Sequence, residues 1–272
     1  MAEAIAHRLT RLLAPRSVAL VGASQVPNVA GNDMVLELQV ARYRGAVYPV
    51  NPKYDEVEGY ECFAQLADLP EAPDLAVLGI GNGGLEAQVD AAIEIGVGGL
   101  VIPGSVILPN DTPGNSLRDR VKAKAEAAGL PIVGGNCMGF YNVEHWFRAF
   151  PFNRPYELNE GGVTLIAQSG SVLTALLWND QKLRFNLAIS PGQELVTTTS
   201  DYMDYALDQE STQVIALFIE TVRNPQKFIA ALKKAADRDV PVVALKAGRS
   251  PVAAKLALSH SGAIAGDDAA YR

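Results

Sequence analysis

The chain has 272 residues, 49% of them apolar and 19% charged, with a formal net charge of −7 at pH 7. That composition belongs to a globular protein, and the length suffices for two domains, each with its own core. The acidic balance argues against a general nucleic-acid binder, which carries a basic patch, yet leaves room for an anionic ligand held by backbone amides and single lysines.

The N-terminal stretch, Ala2 to Leu13, places His7, Arg8 and Arg11 among apolar residues and reads as a short amphipathic helix, not a signal peptide. No run approaches the ~18 apolar residues that span a bilayer. The first strand-like run, Ser17 to Val21, stops at Gly22-Ala23-Ser24, and a helical segment covers Asp33 to Tyr43. The second, Ala46 to Val50, ends in Asn51-Pro52-Lys53; the third, Leu75 to Ile80, ends in Gly81-Asn82-Gly83-Gly84 before a helix from Leu85 to Ile95. Gly99 to Ile102 ends in Pro103-Gly104-Ser105, and a helix from Ser116 to Ala128 leads to Pro131–Val133, closed by Gly134-Gly135-Asn136-Cys137. Alternation of uniformly apolar strands with helices predicts a parallel sheet covered on both faces, with ligands at the glycine-rich carboxyl ends of the strands. The first domain therefore reads as Rossmann-like, ending near His145. Cys62 and Cys137, the two cysteines, form no disulfide framework and suit a reducing cytoplasm, the compartment expected here.

Phe150 to Glu160 is a Pro- and Asn-containing linker, and a second α/β series follows it. Val163–Ala167 is a strand, Gln168-Ser169-Gly170-Ser171 a turn, and Val172–Asn179 a helix. Asn186–Ile189 is the next strand, ending in Ser190-Pro191-Gly192. Ser200–Leu207 is helical, Val214–Ile219 is a strand closed by Glu220, Pro225–Ala236 is a helix with proline in its first turn, and Pro241–Leu245 is the last strand. After Lys246-Ala-Gly-Arg-Ser250 comes Ser259-His260-Ser261-Gly262-Ala263-Ile264-Ala265-Gly266. An imidazole among side chains of almost no bulk reads either as a phosphate-carrying histidine on a mobile loop or as a solvent-exposed histidine.

The first domain lacks the G-x-G-x-x-G turn and the acidic second-strand end of a nicotinamide dinucleotide domain. Gly22 stands alone, and Lys53 at the second strand's end favours a phosphorylated ribose, as in NADP or coenzyme A. The Gln168–Ser171 turn at a helix start is an anion site or a simple serine cap. Glu220 either orients an imidazole through its second nitrogen or is a surface acid.

Five segments in order are similar to the NDP-forming acyl-CoA synthetases, the superfamily of the succinyl-CoA synthetase α subunit. They are Leu12–Ser24, Val47–Lys53, Gly134–Asn142, Gln168–Ser171 and Ser259–Gly266. The resemblance covers essentially the whole chain. It implies a Rossmann-like CoA-binding domain over residues 1–147 and a flavodoxin-like, succinyl-CoA synthetase-type domain over 148–272. The reaction it implies is acid + CoA + ATP ⇌ acyl-CoA + ADP + phosphate, through an acyl phosphate and a phosphohistidine. By position, Gly22, Ser24, Asn51, Pro52, Lys53, Ile80 and Asn136 would contact CoA, and Gln168, Ser169, Gly170 and Ser171 would hold the phosphate. His260 would carry the phosphoryl group and Glu220 would steady its imidazole. ATP or ADP with Mg would bind an ATP-grasp module, on a further stretch of polypeptide or a separate subunit of an oligomeric enzyme. Two features depart from the family: Gly135 stands where proline is usual, and Pro103–Pro109 differs from the usual small-residue run. The alternatives are a CoA-sensing regulatory module of a protein acetyltransferase-type fusion and an NADP-dependent oxidoreductase. A sensor needs no phosphate carrier, and the missing glycine fingerprint weakens the oxidoreductase.

Overall fold

The computed structural model describes residues 6–149, 159–178 and 183–248. The first series folds as α1 (Thr10–Leu13), β1 (Ser17–Val21), α2 (Ala30–Val40), β2 (Ala46–Val50), a two-residue-per-strand hairpin β3 (Glu56–Val57) and β4 (Tyr60–Glu61), β5 (Leu75–Leu78), α3 (Asn82–Glu94), β6 (Leu100–Ile102), α4 (Leu117–Ala127) and β7 (Ile132–Gly134). Five of these strands form an all-parallel sheet in the order β2-β1-β5-β6-β7. Met34, Val35 and Leu38 of α2 are buried on one face, and Leu85, Val89, Val121 and Ala125 of α3 and α4 on the other. That double cover explains why β1 and β5 are buried at every position and carry no alternating polar residues. Successive connections leave β1 in opposite directions, so a crevice opens between the ends of β1 and β5.

The second series comprises β8 (Gly139–Asn142), β9 (Phe147–Ala149), β10 (Glu160–Ala167), α5 (Gly170–Leu177), β11 (Phe185–Ser190), α6 (Thr199–Leu207), β12 (Val214–Ile219), α7 (Pro225–Asp237) and β13 (Val242–Lys246). Its sheet runs β13-β12-β10-β11-β8-β9, parallel through β11 and antiparallel at β8 and β9. α5 packs on one face with Leu165, Ala167 and Ala188, while α6 and α7 pack on the other with Ile166, Ile215 and Leu217. α6 also reaches the first domain. The amide of Ile132 on edge strand β7 donates to the Thr197 hydroxyl (3.1 Å), and Tyr202 donates to the Ile132 carbonyl (3.4 Å). Tyr202 and Tyr205 are buried in one apolar cluster that runs from α1 and α2 across the seam to α7. Burying side chains of this size contributes ~1.5–3 kcal/mol each, which joins the two sheets along a continuous core.

Three local expectations need correction. The described N-terminal helix is the single turn Thr10–Leu13, because His7 to Leu9 already turn, with the Leu9 amide donating to His7 Nδ1 (3.1 Å). The hairpin β3–β4 has no counterpart in the sequence reading, nor do β8 and β9. Of the last pair, β8 lies within the first 147 residues and β9 straddles that boundary, yet both extend the second sheet, through pairing of Phe140 with Ile189 and of Asn142 with Leu187. The linker at 150–158 lies outside the described residues.

Candidate functional site

Gly22 ends β1 with φ +89°, and a β-carbon there would sit 2.5 Å from the Gly79 carbonyl and 2.9 Å from Ile80 Cγ2. Only glycine satisfies both constraints. The loop folds back so closely that a β-carbon on Gly31 would collide with the Gly22 carbonyl. The Ser24 amide donates to Gly31 (3.2 Å), and its hydroxyl accepts from the Val26 amide (3.0 Å). Asn51 is drawn inward: its side-chain amide donates to Ala23 (2.7 Å) and its oxygen accepts from the Lys53 amide (3.1 Å). That turn leaves Pro52 and Lys53 exposed, and the Lys53 ammonium has no partner among the described residues.

α2 and α3 begin after Val29 and Gly81, with no side chain capping either helix, whereas Ser116, Ser169 and Asn224 cap α4, α5 and α7. A β-carbon on Gly81 or Gly83 would meet nothing within 4 Å. The start of α3 is therefore uncapped and has open space beside Gly81 and Gly83, room for a ligand's phosphate near helix-start amides that no side chain uses. Asn82 is not part of that opening, since it donates to Ser105 (3.1 Å) and Ile107 (2.8 Å) and pins the loop after β6.

From there contacts run without a break into the second domain. The Asn136 amide donates to the Gly104 carbonyl (2.6 Å), which places the loop after β7 beside the loop after β6. Met138, two residues on, packs so tightly on the start of α5 that a β-carbon on Gly170 would collide with its Cγ. Asn136 and Ser171 are exposed, and Ser169 and Gly170 partly so. Cys137 is turned inward, and burial pushes its thiol up to about 12, so it is no nucleophile at neutral pH.

Gln168 is buried, and its amide is fully used. Its oxygen accepts from the Glu220 amide (2.7 Å) and the Thr221 amide (3.1 Å), while its nitrogen donates to the Thr221 carbonyl (2.8 Å) and Thr199 Oγ1 (3.4 Å). Two amide donors facing one oxygen fix the orientation of the carboxamide. Gln168 thus sets the turn carrying Glu220, and what faces outward is Ser169, whose hydroxyl caps α5, followed by Gly170 and Ser171. Glu220 closes β12 beside β13, where Ile219 pairs with Lys246 and the Ala247 amide donates to Ile219 (2.8 Å). The chain leading toward His260 leaves the sheet there; His260 itself lies outside the described residues.

The sequence reading stopped at Ser190-Pro191-Gly192 and missed Gln193–Leu195. The amides of Gln193 and Leu195 donate to Gly135 (2.7 Å) and Gly134 (2.9 Å), and Glu194 is buried between Thr199 and Arg223. A signal was present in Thr198-x-x-Asp201, which forms a capping box, but nothing in sequence marks a glutamate for burial. Among the described residues no group of three or more His, Cys, Asp or Glu could hold a metal, and no helix is long and apolar enough to cross a membrane.

A parallel sheet with an open, glycine-lined crevice, joined to a second α/β sheet with a serine-glycine helix start, defines a two-domain α/β protein of nucleotide-binding type. Residues 16–143 match the model of a CoA binding domain and residues 160–272 that of the succinyl-CoA ligase like flavodoxin domain. The chain is 33% identical over 268 residues to the ADP-forming acetate–CoA ligase of Methanocaldococcus jannaschii, covering 97% of this chain and 37% of that one. It is 30% identical over 255 residues to subunit alpha of the ADP-forming acetate–CoA ligase II of Pyrococcus furiosus, covering 93% of this chain and 54% of the subunit. Among solved structures it superposes on the dinucleotide-forming acetyl-coenzyme A synthetase 1 of Ca. Korarchaeum cryptofilum, a complex with phosphate and ADP, at TM-score 0.86 and 28% identity, covering 97% of this chain and 56% of that one. The chain belongs to the ADP-forming acyl-CoA synthetase superfamily. It spans between 37% and 58% of the length of these and similar curated relatives.

Proposed function

We propose that this chain is the CoA-binding and phosphoryl-carrying part of an ADP-forming acyl-CoA synthetase, with residues 1–147 and 148–272 as its two domains. The observation that carries the reading is the unbroken line of contacts from the Gly22 turn to the start of α5: Gly22 against Ile80, Gly104 against Asn136, Met138 against Gly170. A thiol cofactor lying along that line, its phosphorylated ribose near Lys53 and its pyrophosphate over the bare helix starts, ends its reach where Ser169, Gly170 and Ser171 offer amides and hydroxyls to an anion.

Each group then has a part in the reaction. In the ATP-forming direction, phosphate held at the α5 start attacks the thioester carbonyl, and the carbon–sulfur bond breaks with CoA leaving as thiolate. The neutral imidazole of His260 next attacks the phosphorus of the acyl phosphate; a P–N bond forms, the P–O bond breaks and the carboxylate departs. Glu220 holds the second ring nitrogen and stabilises the charge that develops. The phosphohistidine then delivers its phosphoryl group to ADP on an ATP-grasp module, within a longer chain or an oligomer with a second subunit. The reading is supported by the M. jannaschii relative, which is a single longer chain, and by the P. furiosus relative, which is a subunit alpha. Phosphoryl transfer depends chiefly on position and charge, so two stations some distance apart call for a carrier.

Titration calorimetry tests the first half. CoA is expected to bind one site per chain and NADP to give no heat. Saturable NADP binding without CoA binding would replace this reading by the oxidoreductase.

A further inference from the structure

Glu194 is a glutamate whose side chain is 1% exposed, at the seam between the domains, and no step proposed above uses it. One of its oxygens accepts both the amide (2.6 Å) and the hydroxyl (2.5 Å) of Thr199. The other has no hydrogen-bond partner and lies 3.8 Å from Arg223 Nε. Because the Thr199 hydroxyl gives its proton to Glu194, it is free to accept from Gln168, whose oxygen in turn holds the amides of Glu220 and Thr221. On the opposite side, the neighbours of Glu194 grip the loop after β7. Gln193 and Leu195 donate to Gly135 and Gly134, and a β-carbon on Gly192 would sit 2.6 Å from the Asn136 carbonyl. One five-residue segment therefore touches the expected CoA loop by its backbone and is linked to the Glu220 turn through Thr199 and Gln168.

We propose that Glu194 and Thr199 are positioning residues that hold Gln168, and through it the turn carrying Glu220, in register with the Gly134–Asn136 loop. Occupancy of that loop by CoA then tightens the turn that is to receive the phosphorylated imidazole. The proposal rests on the CoA reading given above. A buried chain of hydrogen bonds with one acceptor at its root transmits position because no water replaces a lost member. Burial also raises the Glu194 carboxyl, against the bonds from Thr199 and the nearby Gln168 amide and Arg223 guanidinium, which favour its charged form.

Amide hydrogen exchange at Glu220 and Thr221 is the readout, with and without CoA, alongside calorimetry. In the wild-type chain CoA is expected to slow exchange at both amides. Thr199→Val, of equal volume, removes the hydroxyl's bonds to both Glu194 and Gln168; losing the one that holds Gln168 should speed exchange about five- to tenfold without ligand and should abolish the CoA effect. CoA affinity should stay within about twofold, since the closed turn remains the dominant form. Thr199→Ser restores the hydroxyl and should restore both effects. Unchanged exchange in Thr199→Val, or CoA protection that persists in it, would overturn the proposal. If calorimetry shows no CoA binding, the functional reading fails by itself, and the ligand-free comparison of the Val and Ser variants still decides whether Thr199 holds the turn.

Discussion

The two ends of the candidate site are built in opposite ways. Around Gly22, Gly81 and Gly83 side chains are missing, helix starts are bare, and Lys53, at the end of β2, projects without a partner among the described residues. Around Gln168 the carboxamide, the Thr199 hydroxyl and one oxygen of the Glu194 carboxylate are joined in a single buried network. The first arrangement lets backbone approach a ligand that brings its own charge. The second fixes groups before any ligand arrives, which is what a site for charge-developing chemistry requires. The two meet at Asn136 to Met138, so one loop lies against both.

The contrast breaks most severely at Gly22. Gly22→Ala forces a side chain into positive φ against the Gly79 carbonyl and should cost about 2–3 kcal/mol, lowering Tm by roughly 5–10 °C in thermal unfolding and removing CoA binding. Lys53→Ala should leave Tm unchanged and weaken CoA about tenfold, with no effect on dephospho-CoA; equal losses for both ligands would separate Lys53 from the ribose phosphate. The smallest effect is expected at Glu194. Its carboxyl titrates above the ordinary range in the fold, so the stability it contributes is full below the ordinary carboxylate pKa and is lost as pH climbs from there through the raised value. Glu194→Gln does not titrate. Its Tm relative to the parent should rise by about 1–2 °C across that window and then level off, and a flat difference would show that the buried carboxyl carries no pH dependence.

The strand ends that form the crevice were legible because they follow local rules: apolar runs stopped by Gly22, by Asn51-Pro52-Lys53 and by Gly81. The antiparallel pair β8 and β9 was not. Gly139–Asn142 and Phe147–Ala149 are too short to show a period, and the sheet they join is set by the pairing of β8 with β11, about 45 residues away in sequence. Gln168, Ser169, Gly170 and Ser171 were found as one motif, but their division of labour was hidden. Gln168 faces inward because Thr199 and the Glu220 turn await it, and those partners converge only when the sheet forms. Glu194 was invisible for the same reason, since a glutamate in a glycine-bearing loop reads as solvated until tertiary contacts bury it.

The central claim is that the phosphoryl group rests on His260. The direct measurement is to assemble the chain with the proposed ATP-grasp module, add γ-labelled ATP, and follow acid-labile, base-stable label. The account predicts that label appears on the peptide containing His260, is discharged by a carboxylic acid with CoA, and is absent in His260→Ala. Label of unchanged amount in that variant, or turnover at the normal rate without the imidazole, would contradict it.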